Sequence, residues 1–371
     1  MSDRLLMPEV FHAVAGEETA FYFSNVYAVL NPGQYAFDFD CAKGSCYEER
    51  WFFTPAKEDA GTLEAELQIH DNDGVVDSGK CTVVIHDPAR SAGKTLRLLM
   101  IGDSLTDQTH YPAHIHTLCR RYGIDLEMLG TNVPEKLRNV PGQLIQYPEP
   151  ELLPGVRHEG YGGWSVGTFL TRKEAVKGDK CRHWLCPSPF LNGKGEFDFK
   201  EYLDKNCSGS APDVIFIGLG SNDLNFLTFE NYEEKKALFL KNMQALYTKL
   251  RKDAPEAVFG IVLSPYGTAS QSAWGNNCGS RNFRWPRRRL MASAYRELEK
   301  LFSTEEKCIM LPLYHSIDPI YGYPREETPA FAGSDITVTC QCNALHPTPA
   351  GYRQMGTAAF GALLDIIEKH F

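Results

Sequence analysis

Apolar and polar positions divide the chain into two patterns. Up to about Lys94, short runs rich in aromatic and β-branched residues (Thr19 to Phe23, Tyr35 to Phe39, Trp51 to Thr54, Leu63 to Ile69, Cys81 to Ile85) alternate with turn sequences. Those turns include Asn31-Pro32-Gly33, Lys43-Gly44-Ser45 and Asp71-Asn72-Asp73-Gly74. Short strands at regular spacing, without a helical period, predict a small β-sandwich over residues 1–94, with Asp87 to Gly93 as its linker. From Thr95 onward strands and helices alternate. Leu96 to Ile101 is apolar except for Arg97 and predicts a buried parallel strand. Tyr111, Ile115, Leu118 and Tyr122 then share one helix face, closed by Gly123 as C-cap.

Further strands are predicted at Ile124 to Leu129, Val214 to Leu219, Val258 to Leu263 and Cys308 to Leu311. A helix over Tyr232 to Lys252 turns Leu238, Phe239, Met243, Leu246 and Leu250 inward. The last helix follows Pro347-Thr348-Pro349 and carries Tyr352, Met355, Phe360, Leu363, Leu364 and Ile367. Residues 95–371 therefore read as a doubly wound α/β unit whose ligands bind beyond the C-terminal strand ends. Thr131 to Ala211 has no clear period, and a stretch that long either shapes a binding site or carries structure its pattern does not reveal.

Chemistry gathers at those strand ends. Gly102-Asp103-Ser104-Leu105 follows the first α/β strand, where a serine can face a cleft with its hydroxyl and its N–H. Alone, this string is equally a capped βα turn. His346 precedes the capped final helix and could serve as base, while Gly160 to Ser165 is a glycine-rich turn able to offer a backbone N–H. Asn222, in Gly220-Ser221-Asn222-Asp223, stands at another strand end as an amide donor.

In these four blocks, taken in order, the chain resembles the GDSL/SGNH hydrolases. The resemblance covers Thr95 to Phe371. It implies a flavodoxin-like three-layer α/β/α hydrolase domain and an esterase or acylhydrolase activity. It gives Ser104 the nucleophile role and His346 the base role, with Ser104 N–H, Gly163 N–H and the Asn222 side chain as oxyanion hole. Gly162 is the alternative to Gly163. One position departs from the family pattern, which places an aspartate three residues before the histidine. Here Asn343 stands there and brings no negative charge. The orienting group is then Asn343, a backbone carbonyl or a distant carboxylate, Asp335 being the nearest upstream, and a Ser–His dyad stays open.

In Glu159 to Ser165, Pro189-Phe190 and Phe197-Asp198-Phe199 the chain also resembles bacterial SGNH esterases with an appended β-sandwich, a group commonly assigned to carbohydrate deacetylation. The expected function is therefore hydrolysis of small acyl esters, acetyl in particular, on a carbohydrate, with Trp164 beside the substrate. Two other readings share the sequence: a lipid acylhydrolase or thioesterase, and a carbohydrate-binding protein on a hydrolase fold.

Charge and cysteines narrow the classes. Lys and Arg number 38 against 47 Asp and Glu, a net charge of −9, which lacks the footprint of a nucleic-acid binder. The five arginines between Arg281 and Arg289, interleaved with Phe283 and Trp285, read as a solvated face. No apolar run approaches a bilayer span and the N-terminus carries no apolar signal core, so no membrane partner is expected, and the protein is expected to be cytoplasmic or else secreted with its signal removed. The 11 cysteines read as free thiols. Neither Cys181/Cys186 nor Cys340/Cys342 has zinc-knuckle spacing, and His110, His114 and His116 lack the glutamate of a zinc protease. No cofactor and no metal are expected, and the oligomeric state is open.

Overall fold

The structure, a computed structural model, describes residues 3–137, 146–175, 183–279 and 283–371. Cys181 and Arg281, used in the sequence reading, lie outside them.

Two small sheets form the N-terminal part. Strands β1 (Val10–Val14), β3 (Ala36–Cys41), β6 (Gly61–Asp71) and β7 (Gly74–His86) make one, in the order β1-β7-β6-β3. Strands β2 (Thr19–Tyr22), β4 (Ser45–Cys46) and β5 (Arg50–Phe53) make the other, with the single helical turn α1 (Phe23–Val26) following β2. Aromatic rings fill the space between the two sheets. Phe21 of β2 stacks on Phe39 of β3 with centroids 5.2 Å apart, and Phe11 of β1 meets Trp51 of β5 edge-on at 6.1 Å.

The remainder is built on a parallel sheet. Its strands are β8 (Thr95–Gly102), β9 (Asp125–Leu129), β10 (Glu159–Gly160), β11 (Val214–Gly218), β12 (Val258–Val262) and β13 (Cys308–Leu311). The order is β8-β11-β12-β13, with β9 and then β10 sharing the free edge of β8. The two-residue period of a strand produces three layers. Leu96, Leu98 and Met100 of β8, with Val214 and Phe216 of β11, face helices α3 (His110–Arg121) and α10 (Pro349–His370). Leu99 and Ile101, with Ile215 and Ile217, face the opposite layer. There lie α7 (Tyr232–Asp253) and α9 (Arg284–Phe302), with the shorter α5 (Val166–Thr171) and α6 (Phe199–Asn206). Chain order reverses between β8 and β11, which opens a crevice at their C-terminal ends.

Four further elements complete the unit: α2 (Ser104–Asp107), α4 (Pro134–Leu137), α8 (Gln271–Cys278) and an antiparallel hairpin of β14 (Arg325–Pro329) and β15 (Thr337–Gln341). The hairpin, β1 and β4 escape the sequence reading, as do α5 and α6 within 131–211. Leu238, expected inward on α7, is 56% exposed. It lies one residue off the seam that Phe239, Met243, Leu246 and Leu250 define.

The arginine-rich stretch is also corrected. Arg287 and Arg288 are buried and not solvated. Arg287 donates to the carbonyls of Tyr266 and Leu224 and lies over Trp274, while Arg288 bonds the Ser24 carbonyl and the Asn25 side chain. Burial of a guanidinium is tolerable because these carbonyls replace its water. Arg288 also ties the N-terminal part to the α/β unit, as do Asn25 Nδ2 to the Ile317 carbonyl at 2.8 Å and the stacking of His315 on Phe21. Asp87 accepts from the Ala89 N–H, so the linker region forms a capped turn with Pro88 and Ser91 buried. All described cysteines are free thiols. No described helix is long and apolar enough to cross a membrane.

Candidate active site

Strand β8 ends at Gly102 and α2 begins two residues later, so the chain must turn sharply at Asp103. Asp103 caps that turn: its Oδ1 accepts the Leu105 N–H at 3.0 Å. Its other oxygen finds no hydrogen-bond partner among the described residues, and burial pushes this carboxyl up to about 7, with Asp223 adding to the rise. Arg287 opposes that shift electrostatically. The turn leaves Ser104 as the first helical residue, on the wall of the crevice.

His346 reaches Ser104 from the start of α10. Its Nε2 lies 2.8 Å from Ser104 Oγ. Burial alone lowers the histidine to about 4, and no carboxylate contributes to the shift. Asn343 meets His346 differently from the expected ring contact. Its Oδ1 accepts the backbone N–H of Leu345 at 3.0 Å and of His346 at 2.9 Å. An oxygen engaged by two amides shapes the turn, so Asn343 acts on the main chain of His346.

The oxyanion candidates surround the same point. Gly163 has φ +76°, the left-handed region that glycine enters without a Cβ penalty. The neighbouring Gly162 N–H is taken by Asp107 Oδ2 at 2.8 Å, which leaves the Gly163 N–H as the amide without a partner among the described residues. Asn222 donates one amide hydrogen to the Trp164 carbonyl at 2.9 Å, fixing the flip of the group and leaving the second hydrogen for the cleft. Ser104, Gly163, Asn222, Asn343 and His346 all line one cleft.

Tight packing sets these loops. A Cβ on Gly160 would come within 2.8 Å of the backbone at Thr106 and Asp107, so β10 can lie against α2 only with glycine there. Thr109, between α2 and α3, takes φ 67°, strained for a β-branched residue. Its hydroxyl donates to the Asp107 carbonyl at 3.0 Å and meets His158 Nε2 at 2.9 Å. Asp223 accepts the Val166 N–H and is pushed up to about 6 by burial. Below the glycine turn, Glu159 accepts from Thr131, Tyr161 and Tyr202, a buried carboxyl satisfied on both oxygens.

Trp164, expected beside the substrate, is corrected. Its side chain is 0% exposed, stacked on Tyr161 at 4.4 Å with its Nε1 donating to the Trp184 carbonyl. The indole fills core between the glycine turn and α5, and Trp184 lines the cleft instead. The sequence reading gave Trp184 no place in the site. It also missed Glu326, Cys342 and Pro324, which the hairpin and the residues flanking it bring to the cleft.

The cleft measures about 950 Å³ and is open on one side. Gln108, Gln146, Asn276 and Glu326 give it a polar wall, and His110 stacks on Tyr352 at its rim. Pro324, Leu345, Pro347 and Pro349 line it as well, so the groove is mixed in character.

A profile described as the GDSL-like lipase/acylhydrolase family matches residues 100–354. No curated protein matches the chain. Among solved structures, the chain is similar to a family 3 carbohydrate esterase of Clostridium thermocellum (16% identity, TM-score 0.41), covering 74% of this chain and 98% of that one. A family 3 carbohydrate esterase of Talaromyces cellulolyticus gives 11% identity and TM-score 0.44 with the same coverage. A family two carbohydrate esterase of C. thermocellum, in complex with cellohexaose, is 12% identical with TM-score 0.38, covering 96% of this chain and 94% of that one.

Proposed function

Since the chain belongs to the GDSL-like lipase/acylhydrolase family, we propose that it is a serine esterase removing small acyl groups, acetyl above all, from a carbohydrate. The observation that carries this reading is the 2.8 Å approach of Ser104 Oγ to Nε2 of the half-buried His346, inside an open cleft.

The chemistry follows from the geometry. Ser104 Oγ attacks the ester carbonyl carbon while its proton passes to His346 Nε2. Negative charge then grows on the carbonyl oxygen, where Ser104 N–H, Gly163 N–H and the second Asn222 amide hydrogen receive it. His346 returns the proton to the departing alcohol oxygen, leaving acyl-Ser104. Water, deprotonated by His346, attacks the acyl carbon, releases the carboxylic acid and restores the serine. With Asn343 committed to backbone amides, the catalytic unit in this reading is a Ser–His dyad. A histidine whose proton affinity is depressed by burial is neutral, hence ready as base, throughout the neutral range.

The wall of amides and Glu326, with Trp184 beside Gly162, supports a sugar as the alcohol part, because such groups bond hydroxyls and cover a ring face. The experiment is hydrolysis of p-nitrophenyl acetate beside the decanoate, and acetate release from acetylated xylan, with Ser104→Ala as control. Faster turnover of acetate supports the reading. Preference for decanoate, with no release from xylan, would move the protein to the lipid acylhydrolases.

A further inference from the structure

Far from the cleft, three metal-ligating side chains from three elements converge. His12 lies on β1, His86 closes β7 and Asp365 lies near the end of α10. One ligand atom of each lies within 4.8 Å of the others. His12 Nδ1 and His86 Nε2 are 3.1 Å apart. Asp365 lies 16 residues after the first residue of α10, which at about 1.5 Å per residue is roughly 24 Å along the helix from the cleft end.

From these contacts we infer that His12, His86 and Asp365 form a structural divalent-metal site, suited to zinc, that pins the C-terminal helix to the N-terminal sheet. Two nitrogens on a tetrahedral zinc, each about 2.0–2.1 Å away, stand about 3.3 Å from each other. The observed spacing is close to that value. His86 is prepared on its far side: its Nδ1 meets Glu368 Oε2 at 3.0 Å, the carboxylate partner that fixes a ligand histidine's tautomer and leaves Nε2 with a lone pair. A hydrogen bond between the imidazoles would engage two of the three groups, whereas a cation uses all three.

The backbone is shaped for this approach. A Cβ on Gly361 would stand 2.9 Å from His12 Cβ, so glycine lets α10 lie directly on β1 at the cluster. Asp365 is held meanwhile by Lys369, with Nζ 2.8 Å from Oδ2. That lysine is 65% exposed and can swing away as the cation takes over its charge. Water would complete the four ligands.

Zinc bound only by the folded chain must stabilise it, by an amount set by free metal over Kd. The test is metal-stripped full-length protein, titrated with zinc by calorimetry and melted with and without it, beside His12→Ala, His86→Ala and Asp365→Asn. The expected result is uptake of about one zinc per chain and a rise in Tm, both lost in each variant, while ester hydrolysis at ordinary temperature is kept. Cobalt substitution separates this site from the free thiols: N and O ligation gives tetrahedral d–d bands without a thiolate charge-transfer band. No uptake by the parent chain, uptake unchanged in the variants, or a thiolate band would each overturn the inference. Should a variant misfold, the cobalt spectrum of the parent decides alone.

Discussion

The Oδ1 atom of Asn343 accepts the backbone N–H of His346 at 2.9 Å, so the amide holds the histidine by its main chain and not by its ring. An aspartate can make the same contact. Asn343→Asp is therefore expected to keep kcat within a few-fold. Asn343→Ala loses two turn hydrogen bonds worth about 1 kcal/mol each and, by displacing the imidazole, lowers kcat by roughly 10- to 100-fold. Steady-state kinetics on both variants check this; a large gain from Asn343→Asp would mean that the carboxylate reaches the ring.

Ser104→Ala and His346→Ala should each lower kcat by on the order of 10⁶, and the double variant should be no worse, because nucleophile and base act as one unit. Single-turnover assays with p-nitrophenyl acetate read this directly. Additive losses would separate the two residues and break the dyad.

Asn222→Ala should cost about 10²- to 10³-fold in kcat with KM nearly unchanged, the behaviour of a donor used in the transition state. Asn222→Asp should be at least as poor, since a carboxylate cannot donate and repels the oxyanion. If KM rises while kcat holds, the amide binds substrate in its ground state and lies outside the oxyanion hole.

His346 must be neutral to act, and burial lowers it to about 4. The acid limb of kcat/KM is expected near pH 4, well below the ordinary histidine range near 6.5. Stability follows the same sign. His114, near 4, and His315, near 3, are also depressed by burial. The unfolded chain takes up these protons first, so the histidine contribution is complete above about pH 6.5 and is lost as pH falls toward 4. A rate profile breaking near pH 6.5 would show a base exposed to solvent.

The two tryptophans of the site should separate by assay. Trp184→Ala is expected to raise KM on a sugar ester with little change in Tm. Trp164→Ala opens a cavity in packed core and should destabilise by about 3–5 kcal/mol. Thermal melts beside KM values check both; a KM effect from Trp164→Ala at unchanged Tm would return that ring to the substrate.

Much of the α/β unit is legible because its strands are continuous apolar runs and its helices carry one clear seam. β8, β11, β12 and β13 differ from expectation by a residue or so, and all six apolar positions named on α10 are buried. Ser104 and Asn222 could be named because each stands just beyond such a strand, and His346 because it precedes the capped last helix, whereas Gly163 could be named from the family resemblance. The failures have a physical pattern. Trp164 adjoins Gly163 in sequence, yet neighbours on a turn point in different directions. Arg287 and Arg288 have ordinary surface composition, and only the carbonyls that surround them explain their burial. The hairpin of β14 and β15, with mostly exposed side chains, lacks the buried alternation that marks a strand. His12, His86 and Asp365 are separated by 74 and 279 residues and form no motif.

The contacts of Arg288 have a consequence for synthesis. Ser24 and Asn25 emerge from the ribosome more than 260 residues before the arginine that binds them. Asn25 also waits for the carbonyl of Ile317, and Phe21 for the ring of His315. Contacts of such range are slow to close, and surface awaiting them is open to aggregation. The first eighty-odd residues therefore pass most of translation with an unfinished apolar flank, and chaperone demand should peak before α9 is made. Truncated chains ending short of Arg284 would then be recovered mainly as insoluble protein.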